Sequence, residues 1–387
     1  MGELLLTSPL FLESVMNYRL LTIALLTCLV AMNTHANKLA LGKLIFEDQN
    51  LSQPAGQSCG SCHQSKLFYA DPGMAVSAGA NPSLHGNRNA PSIAYVKFTP
   101  NLHWNEEESL WMGGFFLDGR AKTLQAQAAG PFLNPLEMGN ENSEQVVKKV
   151  QSSAYKTLFE HVYGQDIWND KQQAFNAITD AIVAYENGPE FALFNSKYDF
   201  YLKGLVKLSA QEKRGLELFE AEDKGNCAAC HPSQMTEDGQ PPLFTDYSYD
   251  NLGQPANQNL DFYQLPKVFN PQGKNYIDYG LAENPHINNG PHEKGKFKVS
   301  TLRNIAGTAP YLHNGVFSDL KEVVEFYNKR DVTDKWDAPE VSDNVNQDEL
   351  GDLKLNDSEV SAIVAFLKTL TDGYELTPAT LSAHTPK

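Results

Sequence analysis

Two five-residue stretches carry the chemistry of this chain: Cys59-Gly60-Ser61-Cys62-His63 and Cys227-Ala228-Ala229-Cys230-His231. Two cysteines spaced this way can each add across a vinyl group of one haem, and the adjacent His is then held to ligate the iron. Cys-x-x-Cys-His is the attachment pattern of a c-type haem. A lone Cys-x-x-Cys could instead be a redox dithiol or half a zinc site. A zinc site drawn from both pairs is the competing reading, and it would leave His63 and His231 without a role.

If each His supplies one axial ligand, the opposite face of each iron decides the chemistry. A second strong ligand gives an electron carrier; an open face admits peroxide or oxygen. An internal duplication addresses this point. Gly42-Lys43-Leu44-Ile45-Phe46-Glu47 before the first motif matches Gly215-Leu216-Glu217-Leu218-Phe219-Glu220 before the second. Downstream, Asp118-Gly119 followed by Leu124 matches Asn314-Gly315 followed by Leu320. Setting Gly119 on Gly315 places Pro131 opposite Tyr327. Proline has no ligating side chain, so the first haem is expected to be open. Tyrosine can bind ferric iron as phenolate, so Tyr327 is expected to close the second. Other residues could also close these sites: Met74 and His85 at the first, His286, His292 and His313 at the second. Met235 lies too close to His231 to reach the far face.

The elements that must position these groups are helical. Leu39, Leu41, Leu44 and Ile45 predict an amphipathic helix before the first motif. Further helices are predicted over Thr123 to Ala129, stopped by Gly130-Pro131, and over 143–163 and 170–187. In the second half they follow Ser209, with Glu212 completing a capping box, and run from Leu320 to Tyr327 and from Asp357 to Leu370. Residues 64–103 and 232–295 read as long ordered loops, and strand signals are few. The expected fold is mostly α: two cytochrome c-like haem domains related by internal duplication, over 37–204 and 205–387, with a linker near 188–208.

The chain has 387 residues and a formal charge of −16, which argues against a nucleic-acid partner. Residues 1–36 are expected to include a cleavable export signal. Met16-Asn17-Tyr18-Arg19 forms a basic start, Leu20 to Met32 an apolar run short for a bilayer, and Thr34-His35-Ala36 a cleavage site. Met16 is the expected true start. Cleavage would remove Cys28 and leave all four remaining cysteines in the two motifs. A periplasmic protein with no stable membrane insertion is expected.

At these residues the chain resembles the di-haem cytochrome c peroxidase superfamily. The resemblance is carried by Cys59 to His63, Arg88-Asn89-Ala90-Pro91, Asp118-Gly119-Arg120, Gln127 to Glu137, Cys227 to His231, and Thr301 through Asn304 on to Thr308 through Gly315. It implies that Glu137 is the distal catalytic acid, Gln127 the distal amide and Pro131 the pocket proline. It also implies a Ca²⁺ site involving Asn89, Thr308 and Pro310, whose oxygen donors suit a hard cation. Ser77-Ala78-Gly79-Ala80 stands where many members carry a displaceable His, and Tyr327 where they carry a Met ligand. Both departures point to the MauG-like subfamily, whose members use peroxide to oxidise residues of a partner protein. A third departure is Leu117, which replaces the family's Trp between the haems; Phe116 and Trp111 are nearby aromatics.

The resemblance thus implies two covalent c-type haems and H₂O₂ as substrate. Glu137 would move a proton from one peroxide oxygen to the other while Gln127 orients the molecule. The electron source would be Trp or Tyr residues of a protein substrate. The alternatives are a peroxide scavenger fed by a small redox-protein donor, and a non-enzymatic di-haem electron carrier.

Overall fold

The computed structural model describes residues 35–71, 73–287 and 290–377. The expected export segment lies, apart from its last two residues, outside the described residues. The first half contains helices α1 (35–46), α2 (Cys59–Cys62), α3 (Leu124–Leu133), α4 (Ser143–Gln151), α5 (Lys156–Tyr163) and α6 (Lys171–Glu186). α7 (Lys197–Leu202) closes the first half in sequence, and the second contains α8 (Ala210–Glu220), α9 (Leu320–Lys329) and α10 (Asp357–Lys368). Strands are short. β1 (His103–Asn105) pairs antiparallel with β2 (Leu110–Met112), His103 opposite Met112, and β3 (Tyr249–Asp250) pairs antiparallel with β4 (Phe297–Lys298).

The duplication is written in the helix crossings. Gly42 on α1 sits against the Ala181 carbonyl and Tyr185 of α6, so a Cβ there would collide with backbone. Gly215 on α8 sits in the same way against the Ala362 carbonyl and Phe366 of α10. Each glycine lets two helices touch along their backbones, and each is followed one turn later by a fully buried Phe, Phe46 or Phe219. The first core gathers Leu41, Ile45 and Phe46 around Ile178, Ala181 and Ile182. The second gathers Leu216, Leu218 and Phe219 around Ile363, Phe366 and Leu367.

The stretch after each glycine turn repeats as well. Phe115 bridges Ala121 as Tyr311 bridges Phe317. Gly119 and Gly315 take φ of +66° and +62°, a left-handed conformation that costs glycine little. Thr123 and Asp319 then cap α3 and α9, accepting hydrogen bonds from the main chain of the first turn. Pro131 and Tyr327 therefore stand at equivalent points of equivalent helices.

Several boundaries differ from expectation for identifiable reasons. α3 continues through Gly130-Pro131 to Leu133. Pro131 cannot donate to the carbonyl one turn back, but Phe132 is a fully buried anchor and Asn134 N–H closes the last turn on Gly130. The helix predicted over 143–163 is two helices. Ser152 and Ser153 return their hydroxyls to the Lys148 and Val150 carbonyls, which offers the backbone an alternative to helix. The expected linker contains α7, started by a Ser196–Asp199 capping box, and its Tyr198 is buried in the second core. The capping box expected at Ser209 is present, Glu212 N–H donating to Ser209 Oγ at 3.2 Å and Ser209 N–H to Glu212 Oε2 at 2.7 Å.

Buried ion pairs join the halves. Arg303 donates two hydrogen bonds to Asp199, at 3.0 and 2.9 Å. Arg88 reaches Asp278 at 2.7 Å and Asp118 at 2.5 Å. Burial alone would raise the Asp278 pKa, but the Arg88 guanidinium overrides it and holds Asp278 at about 2.

Candidate active site

Each Cys-x-x-Cys-His motif opens onto its own cavity. The first is lined by Cys59, Cys62 and His63, the second by Cys227, Cys230 and His231. The backbone brings the groups together identically: His63 N–H donates to Cys59 O and His231 N–H to Cys227 O, both at 2.9 Å. The imidazole Nδ1 atoms lie 3.0 Å from Tyr69 O and 2.7 Å from Phe244 O. A carbonyl only accepts, so each Nδ1 carries the proton and each Nε2 keeps its lone pair for a ligand. Burial lowers both imidazole pKa values, which favours that neutral form. No group of three or more His, Cys, Asp or Glu suited to a metal ion forms among the described residues. The zinc reading therefore finds no site there, and the pairs lie in separate cavities. Paired thiols, a free imidazole nitrogen and largely apolar walls fit a covalently held haem in each.

The expected distal residues divide between the two cavities. Gln127, Pro131 and Glu137 line the first cavity, and Tyr327 lines the second. Glu137 accepts a hydrogen bond from Asn134 Nδ2 at 2.9 Å. Burial raises its pKa, and Arg120 and Asn134 only partly oppose that. Its backbone carbonyl accepts from Ala80 N–H at 2.7 Å, so the Ser77–Ala80 run is tied beside the acid rather than presenting a ligand. The Tyr327 hydroxyl makes no hydrogen bond among the described residues, and burial raises its pKa; a bound metal would be needed to bring it down.

The other candidate ligands are elsewhere. Met74 and Met235 are exposed, at 46% and 45%, and so are His286 and His292. His85 is not among the residues lining the first cavity. His313 does line the second, but its ring is stacked on Phe297 at 3.8 Å and its Nδ1 lies 2.6 Å from Gln254 Nε2. Asn89 Nδ2 donates to Ala75 O at 3.1 Å and its N–H to His313 O at 2.6 Å, while Thr308 Oγ1 donates to Ile305 O at 3.3 Å.

Leu117 lines both cavities, as do Lys298, Ser300 and Thr301. Phe116 lines only the first, under the Arg120 guanidinium at 3.8 Å; Trp111 lines neither and packs edge-on against Trp104 at 5.6 Å.

A family model described as di-haem cytochrome c peroxidase matches residues 36–207. The chain is 37% identical over 351 residues to the methylamine utilization protein MauG of Paracoccus denitrificans, covering 86% of this chain and 88% of that protein. The chain belongs to the di-haem cytochrome c peroxidase family. It is also 30% identical to cytochrome c551 peroxidase of Nitrosomonas europaea, over 87% of this chain and 80% of that one. The crystal structure of the diheme peroxidase BthA from Burkholderia thailandensis superposes with a TM-score of 0.76 at 32% identity, covering 87% of this chain and 86% of that one. As a family member the protein is a peroxidase with two haem cofactors.

Two residues of the di-haem peroxidase were missed by sequence reading. Glu186 lines the first cavity, 4% exposed, with Oε2 unpartnered; burial pushes its pKa up to about 8. The available signal was a charged residue on the apolar stripe of α6, one turn after Ile182. Lys298 had no such signal, because only the tertiary fold brings β4 between the cavities.

Proposed function

We propose that this is an exported MauG-like peroxidase. Peroxide binds in the first cavity, and the oxidising equivalents pass through the second to Trp or Tyr residues of a partner protein. Haem, when bound, supplies the iron centre that accepts peroxide and stores oxidising equivalents. Cys59 and Cys62 would hold one haem covalently and Cys227 and Cys230 the other, with His63 and His231 each offering a ring nitrogen to an iron. Glu137, kept protonatable by burial, takes a proton from one peroxide oxygen and returns it to the leaving one; Gln127 orients the molecule. Pro131 leaves the approach open. Tyr327 closes the second site. The halves 37–204 and 205–387 divide these tasks, with Asn89, Thr308 and Pro310 contributing to a Ca²⁺ site at their seam.

The observation that carries this reading is the exchange of Pro131 for Tyr327 at equivalent points of α3 and α9, each lining its own cavity. Low-temperature EPR of the oxidised protein should show one high-spin and one low-spin ferric signal. Tyr327→His should change only the low-spin one. Two low-spin signals in the wild type, with no peroxide-reactive species, would sink the proposal. A second reading, a scavenger fed by a small redox protein, is supported by the likeness to cytochrome c551 peroxidase. Rapid steady-state peroxide turnover with a reduced small cytochrome would favour it over partner oxidation.

A further inference from the structure

The wall between the cavities holds a buried cation with no carboxylate at ion-pair distance among the described residues. Lys298, on β4, lines both cavities, and its N–H is pinned to Leu117 O at 2.8 Å. Its Nζ donates to one acceptor, Gly114 O at 2.7 Å, and lies 5.9 Å from the centre of the Phe115 ring. An ammonium has three N–H donors, and no carboxylate stands within ion-pair distance of this one among the described residues. The other cations buried at the seam are neutralised: Arg303 by Asp199, Arg88 by Asp278 and Asp118. Burying a charge without a partner costs several kcal/mol in general, so an anion that reaches this lysine would offset that cost. Burial lowers its pKa to about 8 against the opposing field of Asp118, a carboxylate already paired with Arg88 and Arg120, which leaves the lysine mostly protonated at neutral pH. Each adjoining cavity takes a haem, and each haem carries two propionate carboxylates.

We infer that Lys298 is the shared counter-ion of the two haems: its Nζ binds a haem propionate at the junction, and its charge acts on both irons. This rests on the two-haem reading above. A fixed positive charge favours the electron-rich state of each iron, so it holds both reduction potentials up. None of the described residues that line both cavities, Leu117, Lys298, Ser300 and Thr301, is aromatic, and the common cation is what makes the two sites respond together.

The test is redox potentiometry of the holoenzyme, with each haem followed by its own absorption bands. Resonance Raman of the propionate bending modes gives a second readout. Lys298→Met should lower both midpoint potentials and shift a propionate mode. Lys298→Arg, which keeps the charge, should restore both. A wild type with two covalent haems by pyridine haemochrome, and a Lys298→Met variant with unchanged potentials, would overturn the assignment and leave the two-haem reading intact. A shift confined to one haem would overturn the shared role. Fewer than two haems in the wild type would overturn both. If Lys298→Met fails to load haem, Lys298→Arg and Lys298→Gln carry the same comparison. Lowered potentials in Gln alone support the assignment, and wild-type potentials in both defeat it.

Discussion

The two cavities are built from one plan and differ at a few side chains. With Gly119 set on Gly315, Gln127 of the first faces the place of Val323 in the second, Ala128 that of Val324, and Pro131 that of Tyr327. On the helix crossing, Ala181 and Tyr185 correspond to Ala362 and Phe366, which sets Ile182 on Ile363 and Glu186 on Leu367. All four of those last residues line their cavities. The matched pairs are apolar; two exchanges set a polar residue against an apolar one, Gln127 against Val323 and Glu186 against Leu367, and a third sets Pro131 against the phenol of Tyr327. Cores tolerate such exchanges only at walls facing a ligand, because a buried polar group away from one is left unpaired. Divergence of function is thus concentrated on two faces, one of α3 against α9 and one of α6 against α10, while the crossings that fix the fold stay the same.

The sharpest way to break the comparison is Glu137→Gln. If the first cavity alone does the proton work, the variant keeps both haems and both resting spectra but loses about 10²–10⁴-fold in the rate of peroxide reaction, the usual worth of a positioned acid–base group. Stopped-flow mixing with peroxide measures it. A rate within a few-fold of wild type would mean that Glu137 is a bystander and that the polar wall serves something else.

Glu186 against Leu367 sharpens the same contrast. Burial raises the folded pKa of Glu186 to about 8, above the ordinary value of a glutamate near 4.5. The sign follows from linkage: the folded state binds the proton more tightly, so this group favours folding below about pH 4.5 and the benefit is lost as pH rises to 8. Glu186→Leu, which copies the second cavity, should therefore flatten part of the decline in stability over that window. The expected gain is on the order of a few kcal/mol at the alkaline end. Denaturation midpoints of both proteins at pH 5 and pH 8 check it; equal pH dependence in the two would show that Glu186 finds a partner in the holoprotein.

Much of this asymmetry was legible in the sequence, for a physical reason. Haem attachment needs its Cys and His residues adjacent in the chain, and a duplicated domain keeps its spacing, so Pro131 and Tyr327 could be set opposite one another by counting. The capping box at Ser209 was equally local. What escaped was whatever only folding brings together. Glu186 belongs to a helix whose reading stopped at its existence, and Lys298 to a strand of two residues, too short to leave a pattern. The Arg88–Asp278 pair joins residues 190 positions apart in sequence, and the stretch that contains Arg88 does not name its partner. Helix ends were misjudged where a buried anchor such as Phe132 outweighed a proline.

The smallest expected effect tests whether the two helices position their cavities independently. Thr123 caps α3 with one hydrogen bond, from Ala126 N–H at 3.2 Å. Asp319 caps α9 with two, from Lys321 and Glu322 N–H at 2.8 and 3.1 Å, and adds a charge that favours the helix N-terminus. Replacing either by Ala should cost about 1 kcal/mol, Asp319 the more. The functional readouts should separate. Thr123→Ala loosens the helix that carries Gln127 and Pro131, so it should alter the peroxide reaction and leave the second haem's EPR signal alone. Asp319→Ala loosens the helix that carries Tyr327, so it should broaden or shift that signal and leave the initial peroxide reaction alone. Crossed effects of equal size would mean that the wall shared through Leu117 and Lys298 transmits strain between the cavities, and that the two sites relax as one.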